Sequence, residues 1–405
     1  MANSFITSSL IAPRAQVAFK MANTSLREAA ANYQKLYNNQ TFETGNTVNV
    51  RLDNQFEVQR GDSVTAKDIV ERSVPLTIEE LYSVNVKIKP TDLQREIGDF
   101  TDHFINPAME NLAAQINTNV LAKANQQIWM YTGSAASNIS SYAAADLDNV
   151  RMKEMGIPMA GAGKSWIQIL TNNDASLLRA ALNNNFNQPR TKGILDASSL
   201  GRLGAFDIFE DQSLPIHNTF VGAIGTPIVN GAVASGTTIV ASGFTASKTG
   251  ILKAGDIVEF SGSYFVNKVS KLSTGRLYTA IVAADADSSA GGAVTFTINE
   301  PIVSTGPRKN ISAEIANGAT ITVIGQTVET TYKTNIAYAP GALILVNPPL
   351  EPFRGDDSTV FSKGGMSIRT TFYSDPENNA QKIRIDAQIA SRWMGDLAVR
   401  HISKV

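Results

Sequence analysis

Apolar and polar positions along this chain follow two rhythms that trade places several times. The first is period two. Thr47-Val48-Asn49-Val50-Arg51-Leu52 alternates strictly, and Phe56-Glu57-Val58 continues the alternation up to a turn at Gln59-Arg60-Gly61-Asp62. Val74, Leu76 and Ile78, then Val84-Asn85-Val86-Lys87-Ile88-Lys89, return in the same rhythm. Strict alternation gives a strand one apolar and one wet face. Residues 45–90 are therefore expected to form a long two-stranded excursion with a polar tip. An isolated two-stranded ribbon is marginal in water, so its apolar face needs another surface, such as another subunit, to rest on.

The second rhythm is helical. Pro90-Thr91-Asp92 supplies an N-cap, and Leu93, Ile97, Phe100 and Phe104 follow at helical spacing. Asn106-Pro107 marks a kink or a fresh start. Leu112, Ile116, Val120, Ala124 and Ile128 then repeat every four residues, which predicts a helix of roughly 23 residues, about 35 Å long, ending near Gly133. Ahead of both patterns, residues 1–44 are polar and rich in Ala and Asn, with one candidate helix from about Ser25 to Tyr37. This segment reads either as a loosely docked terminus or as an arm reaching a neighbouring subunit.

From Asp146 to Leu214 the pattern is mixed. Trp166–Leu170 reads as a buried strand, Asn173 or Asp174 caps a short helix through Leu182, and Phe206–Phe209 reads as a further strand. Residues 223–330 then change character. They hold thirteen of the 29 glycines, and short apolar runs fall between turn residues at Thr238–Val240, Ile257–Phe260, Tyr264–Val266, Leu277–Val282, Val294–Ile298 and Thr320–Ile324. Such spacing predicts a small inserted β barrel or sandwich, with Lys253-Ala254-Gly255-Asp256 as a hairpin-like turn. Beyond it, Ala342–Val346 reads as a buried strand. Ser367–Tyr373 and Gln381–Ile389 read as an antiparallel pair, and Leu397–Ile402 as a last alternating strand. The fold class expected from this order is α+β.

Composition narrows the function. Apolar residues are 43% and charged residues 18% of 405, enough for two or three cores. A formal net charge of −1 argues against a dedicated nucleic-acid binder. The chain has no cysteine, which excludes disulfides and thiolate metal sites and suits a reducing cytoplasm. Neither a secretory signal nor a membrane-spanning helix is expected.

Candidate chemistry is sparse. Gly161-Ala162-Gly163-Lys164-Ser165 resembles the end of a phosphate-binding loop, but Pro158 stands where its first glycine belongs and a strand follows. His103, His217 and His401 are too far apart in sequence for metal-ligand spacing and read as structural histidines. Asp285-Ala286-Asp287 resembles part of a calcium loop without its glycine and distal glutamate, and reads as a solvated loop. No Gly-x-Ser-x-Gly elbow occurs. No catalytic residue, cofactor or metal is therefore expected, and the chain is not expected to be an enzyme.

The order of parts, with Asn106-Pro107-Ala108-Met109-Glu110-Asn111-Leu112-Ala113-Ala114-Gln115-Ile116-Asn117 in the long helix and Asp396-Leu397-Ala398-Val399-Arg400 near the close, resembles the major capsid protein of tailed bacteriophages, the Hong Kong ninety-seven fold. Within that family the inserted β module is most similar to the coat protein of the Salmonella short-tailed phages. The resemblance implies an N-terminal arm at 1–44, an extended β loop at 45–90, and a spine helix and peripheral domain at 91–144. It implies an axial domain at 145–222 with its return at 331–350, an inserted β domain at 223–330, and a peripheral sheet at 351–405. It implies self-assembly into hexamers and pentamers of an icosahedral virion shell, put together in the host cytoplasm, around double-stranded DNA contacted non-specifically. Scaffolding and portal proteins are the implied partners, with no membrane. Arg60, Gly61, Asp62 and Lys67 fall at or beyond the extended loop's turn and are the expected interface residues. Some capsid proteins join such a Lys to an Asn covalently; a non-covalent contact is the expectation for Lys67. The rival readings are an encapsulin-like compartment shell and a carbohydrate-active enzyme with a β accessory module. The latter would need paired carboxylates in a cleft.

Overall fold

The computed structural model describes residues 47–51, 54–56, 71, 73–78, 80–88, 101–158, 165–185, 200–326, 330–363, 366–375 and 380–405. The expected arm, the loop turn with Arg60, Gly61, Asp62 and Lys67, and residues 161–164 lie outside them.

Three strands come first: β1 (Thr47–Arg51), β2 (Ser73–Thr77) and β3 (Glu80–Ile88). The chain then enters α1 (Asn106–Ala122) through a π turn at Thr101–Ile105 that holds the exposed His103. The widened turn and Pro107 fall together, because proline cannot donate to the ladder and a kink relieves it. Helix α1 buries Met109, Leu112, Ala113, Ile116 and Val120 along one stripe. It stops at Ala122, earlier than its apolar spacing predicts. After the short α2 (Ala124–Gln127) the chain is extended through the buried Trp129 and Met130 into β4 (Tyr131–Gly133). Helix α3 (Tyr142–Glu154) follows, capped by the Ser141 hydroxyl, which accepts from Ala144 N at 3.2 Å. Then come β5 (Trp166–Leu170), α4 (Asn172–Asn185), β6 (Arg202–Leu203), β7 (Phe206–Glu210) and β8 (Ile216–Asn218).

Six strands make up the glycine-rich stretch: β9 (Gly225–Val229), β10 (Ser235–Phe244), β11 (Ile257–Val266), β12 (Ser273–Ile281), β13 (Val294–Val303) and β14 (Ile321–Val323). They form two antiparallel sheets, ordered β13-β10-β9 and β12-β11-β14. Bridges between Ile228 and Thr320 and between Val282 and Ile298 join the sheets at both margins, closing the ring. The two expected runs at Ile257–Phe260 and Tyr264–Val266 are one strand, interrupted by a register shift between Phe260 and Tyr264. The chain closes with β15 (Thr331–Tyr338), β16 (Leu343–Val346), β17 (Asp357–Lys363), β18 (Met366–Asp375), β19 (Ala380–Trp393) and β20 (Ala398–Lys404). The fold is α+β.

The described residues fall into two compact units. The first draws on the stretches 1–50, 73–120 and 343–392. Its five-stranded sheet runs β16-β19-β18-β17, with β3 on the other side of β19. Two expectations are corrected here. Val84–Ile88 is not the second strand of a ribbon; β3 pairs with β19 along nine residues, from Gln381↔Ile88 to Ile389↔Glu80. Its half-buried Tyr82, Val84 and Val86 continue the apolar face of Ile383, Ile385, Ala387 and Ile389, which a free ribbon lacks. Among the described residues β1 pairs with β2 in a separate two-stranded sheet. The other correction concerns β20, expected in the peripheral sheet of 351–405.

That strand belongs to the second unit, drawn from 51–72, 121–342 and 393–405. Here a mixed sheet runs β4-β20-β15-β5-β7-β6, with β8 also on β15. Strand β20 lies between β4, which it pairs in parallel, and β15, antiparallel. Its six residues Ala398–Ser403 are all buried, so it could not face water on either side.

Two buried carboxylates hold this sheet. Asp174, three residues after the Thr171 cap of α4, accepts from Ser403 Oγ (2.7 Å), Asn335 Nδ2 (2.7 Å), Thr171 Oγ1 (3.0 Å) and Asn138 Nδ2 (3.1 Å). Burial opposes its charge, but these donors hold its pKa below the ordinary value of 3.8. Asp148 accepts from Gln168 Nε2 (2.7 Å), from the Thr132 hydroxyl and from His401, whose Nδ1 is 3.1 Å away. Burial again opposes the imidazolium, and Asp148 overcomes it, raising His401 above 6.5. The signs differ. A raised histidine contributes stability that is complete below about 6.5 and is lost as pH climbs through the folded value. A depressed aspartate contributes stability present above about 3.9 and lost as pH falls. Chemical denaturation across pH should therefore show a decline above about 6.5 that His401→Asn abolishes, and an acid decline that Asp174→Asn abolishes. Unchanged pH slopes in either variant would remove that residue from the account.

Candidate functional site

The second unit's chemistry concentrates where the six-stranded ring meets the mixed sheet. Both bury side chains in one continuous core that runs from Met130, Met152, Trp166 and Val399 to Phe260, Phe265, Tyr278 and Phe296. Ring and sheet therefore share an interior, and polar groups fix their register.

Arg400 on β20 is fully buried. Its Nη1 donates to Asn125 O at 2.7 Å, a carbonyl at the end of α2, and Nη2 donates to Gly255 O at 3.3 Å. The end of a helix offers unpaired carbonyls and the negative pole of its dipole, which suits a guanidinium. Burial lowers Arg400's pKa, while the nearby Tyr332 and Asp256 oppose that shift. Gly255 belongs to the turn Lys253–Asp256, where Asp256 N donates to Lys253 O at 3.0 Å. With φ at +95°, a side chain here would be strained, and a Cβ would lie 3.0 Å from His217 Cε1. The turn is pinned again by its neighbour: Asp256 Oδ1 is 2.7 Å from His217 Nε2, and Asp256 Oδ2 accepts from Lys253 N at 2.8 Å. The expected turn is thus the ring's anchor.

A second anchor is aromatic. Trp129 stacks on Phe265 at 5.0 Å, and the Arg151 guanidinium lies 4.6 Å from the Phe265 ring centre. Burial lowers Arg151 to about 10, and it keeps its charge at neutral pH. Around it, Arg276 Nε pairs with Glu154 at 2.6 Å, Asn267 Nδ2 donates to Glu154 O at 2.7 Å, and Tyr131 Oη donates to Glu259 at 2.9 Å. Burial and then Glu259 push the Tyr131 phenol above its usual range. The hairpin end Asn267–Lys271 adds Lys268 Nζ on Asp396 O at 2.8 Å.

The sequence-derived candidates distribute as follows. His217 and His401 both meet buried carboxylates. Asp285 and Asp287 accept from Ala254 N (2.8 Å) and Gly250 N (2.6 Å), so they brace turns instead of facing a cation. Ser165 donates to Asp207 and leads directly into β5, not into a helix. Among the described residues, no group of three or more histidines and carboxylates could hold a metal ion. Arg60, Gly61, Asp62 and Lys67 lie outside the described residues. Sequence reasoning missed Arg400, Trp129 and Arg151. Only an arginine inside the apolar run Ala398–Ile402 hinted at the first.

Several known proteins are similar to parts or most of this chain. The family described as "P22 coat protein - gene protein 5" matches residues 230–394, from just after β9 to the end of β19. A major capsid protein of Acyrthosiphon pisum secondary endosymbiont phage 1 is 33% identical over 148 residues. The match covers 34% of this chain and spans about a third of that relative, 34% of its length. Among solved structures, a chain of Mycobacterium phage Che8 is 13% identical, with a TM-score of 0.44 over 88% of this chain and 85% of that one. The bacteriophage PhiM1 mature capsid gives 10% identity and 0.42 over 89% and 83%. The virus-like particle from Pyrococcus furiosus gives 10% and 0.38 over 99% and 100%. The two sequence matches bear out the resemblance to tailed-phage coat proteins.

Arg400→Met tests the anchor. Methionine keeps volume but leaves the Asn125 and Gly255 carbonyls without their charged donor, so stability should fall by about 1.5–3 kcal/mol. Urea unfolding should show the midpoint shift. A wild-type midpoint would mean that the guanidinium does not hold the ring.

Proposed function

We propose that this chain is a major capsid protein of a tailed bacteriophage, whose copies assemble into the icosahedral shell of the virion. The observation that carries the reading is the coat-protein match over residues 230–394, which includes ring strands β10 to β14 and strands of both units. A structural role also suits the candidate site, where every anchor is spent on fixing one part of the subunit to another. No helix among the described residues is long and apolar enough to cross a membrane.

Within this reading the finer assignments are proposals too. Residues 223–330 are the inserted domain, 1–44 the arm and 45–90 the extended loop. Hexamers and pentamers form in the host cytoplasm with a scaffolding protein and a portal, and the shell contacts double-stranded DNA non-specifically. Arg60, Gly61, Asp62 and Lys67 contact a neighbouring subunit.

Purified protein, with scaffold supplied if needed, should sediment as megadalton particles that appear as closed shells by electron microscopy. A stable monomer or small oligomer under every condition would sink the reading. The loop is tested separately. Asp62→Lys should weaken assembly while leaving the subunit's melting unchanged, since one exposed ion pair contributes only about 0.2–1 kcal/mol but repeats around a shell. The deficit should shrink at high salt. Wild-type assembly by this variant at low salt would remove Asp62 from the interface.

A further inference from the structure

An asparagine followed by glycine carries its own reactivity. The glycine's backbone nitrogen can attack the asparagine Cγ, because glycine has no side chain to hinder the approach. A nitrogen–carbon bond forms, the side-chain amide leaves as ammonia, and a cyclic succinimide results. Water then opens the succinimide at either carbonyl, giving aspartate or isoaspartate. In isoaspartate the main chain runs through an extra methylene. Water is the only co-reactant, but the glycine N–H must be free to swing onto Cγ.

Two such pairs occur in the chain, Asn230-Gly231 and Asn317-Gly318. The fold sets them side by side, both exposed, at the seam where Ile228 meets Thr320 and Val233 meets Ile315. Asn230 directly follows β9, and Asn317-Gly318 form the centre of a turn in which Ala319 N donates to Ala316 O at 3.1 Å. Both glycines have left-handed backbone, with φ of +96° and +81°, and open space around them. Conformation, not packing, therefore demands glycine at both. Each glycine N–H is fastened by the other segment. Gly231 N donates to Asn317 Oδ1 at 2.8 Å, and Gly318 N donates to Val229 O at 2.8 Å. Val229 N on Ala319 O (2.9 Å) and the reciprocal bonds of Val233 and Ile315 (2.9 and 3.0 Å) complete the seam.

We propose that Asn230 and Asn317 are a paired self-modification site, held shut by the seam and converted to aspartate or isoaspartate when it opens. The hydrogen bonds that close the ring are the ones that keep both nucleophilic nitrogens off their carbons. Opening the seam is a local event, with a free energy of its own below that of unfolding the subunit. Isoaspartate at 230 lengthens the main chain between Val229 and Val233, two residues that the seam holds in fixed register, so the seam cannot close again as before. The ring thus records chemically that it has opened. Asn230 is the first to react, since one exposed side chain holds Gly231 whereas Gly318 is held backbone to backbone. The site does not depend on the shell reading.

Full-length protein is incubated at mildly alkaline pH below its melting temperature, and each site is followed by peptide mass spectrometry that separates aspartate from isoaspartate. Native protein should react slowly, and protein unfolded in urea should react fast at both sites. Asn317→Ala removes the acceptor of Gly231 N, so Asn230 should react about two- to tenfold faster, the population change that one lost hydrogen bond gives. Asn317→Asp keeps an oxygen acceptor and should leave Asn230 near the wild-type rate. Wild-type protein in urea below its unfolding transition supplies a measurement free of any variant, and it decides the matter if Asn317→Ala melts well below wild type. There the two sites should accelerate together, because one seam guards both. An Asn230 rate that Asn317→Ala leaves unchanged overturns the proposal. So does native protein that reacts as fast as unfolded protein, and so do sites that accelerate independently in dilute urea.

Discussion

A guanidinium cannot be left alone in a protein interior. Removing its water costs several kcal/mol even after relaxation, and Arg400 has no carboxylate in contact to offset that. Its charge is met by backbone carbonyls, Asn125 at the end of α2 and Gly255 in the ring's first long turn. The requirement runs outward from there. Asn125 can offer its carbonyl only if the helix stops where it does, before Ile128. Gly255 can offer its own only in a left-handed turn that no side chain fits. That turn holds its shape because Asp256 is tied to His217 and to Lys253. Strand β20 must lie between β4 and β15 to bring the side chain there at all.

The consequence is a second unit in which ring and sheet behave as one body. They share a core, and Trp129, Phe265 and Arg151 pack across the join. On the proposed shell reading this rigidity has a physical purpose. Each contact between copies is weak, and the assembled whole is selective only if a copy presents all its contacts in fixed relation. A ring hung on a flexible tether would spend that advantage on ordering entropy at every contact.

Much of the fold was legible from periodicity. Strands β5, β18 and β19 lie where apolar runs or alternation placed them, because each sits in an environment that rewards its pattern regardless of partner. The errors have distinct causes. Ile128 keeps the four-residue spacing of α1, yet Trp129 and Met130 fit the core only as extended chain, so tertiary packing overrode the local signal. Strand β9 escaped notice because Pro227 interrupts it, which the edge of its sheet tolerates. The partners of β3 and β20 lie far off in sequence, and alternation says which face is apolar but not what covers it. The anchors were hidden for a deeper reason. Arg400 is held by carbonyls, and every residue has one, so its partners carry no signature in sequence.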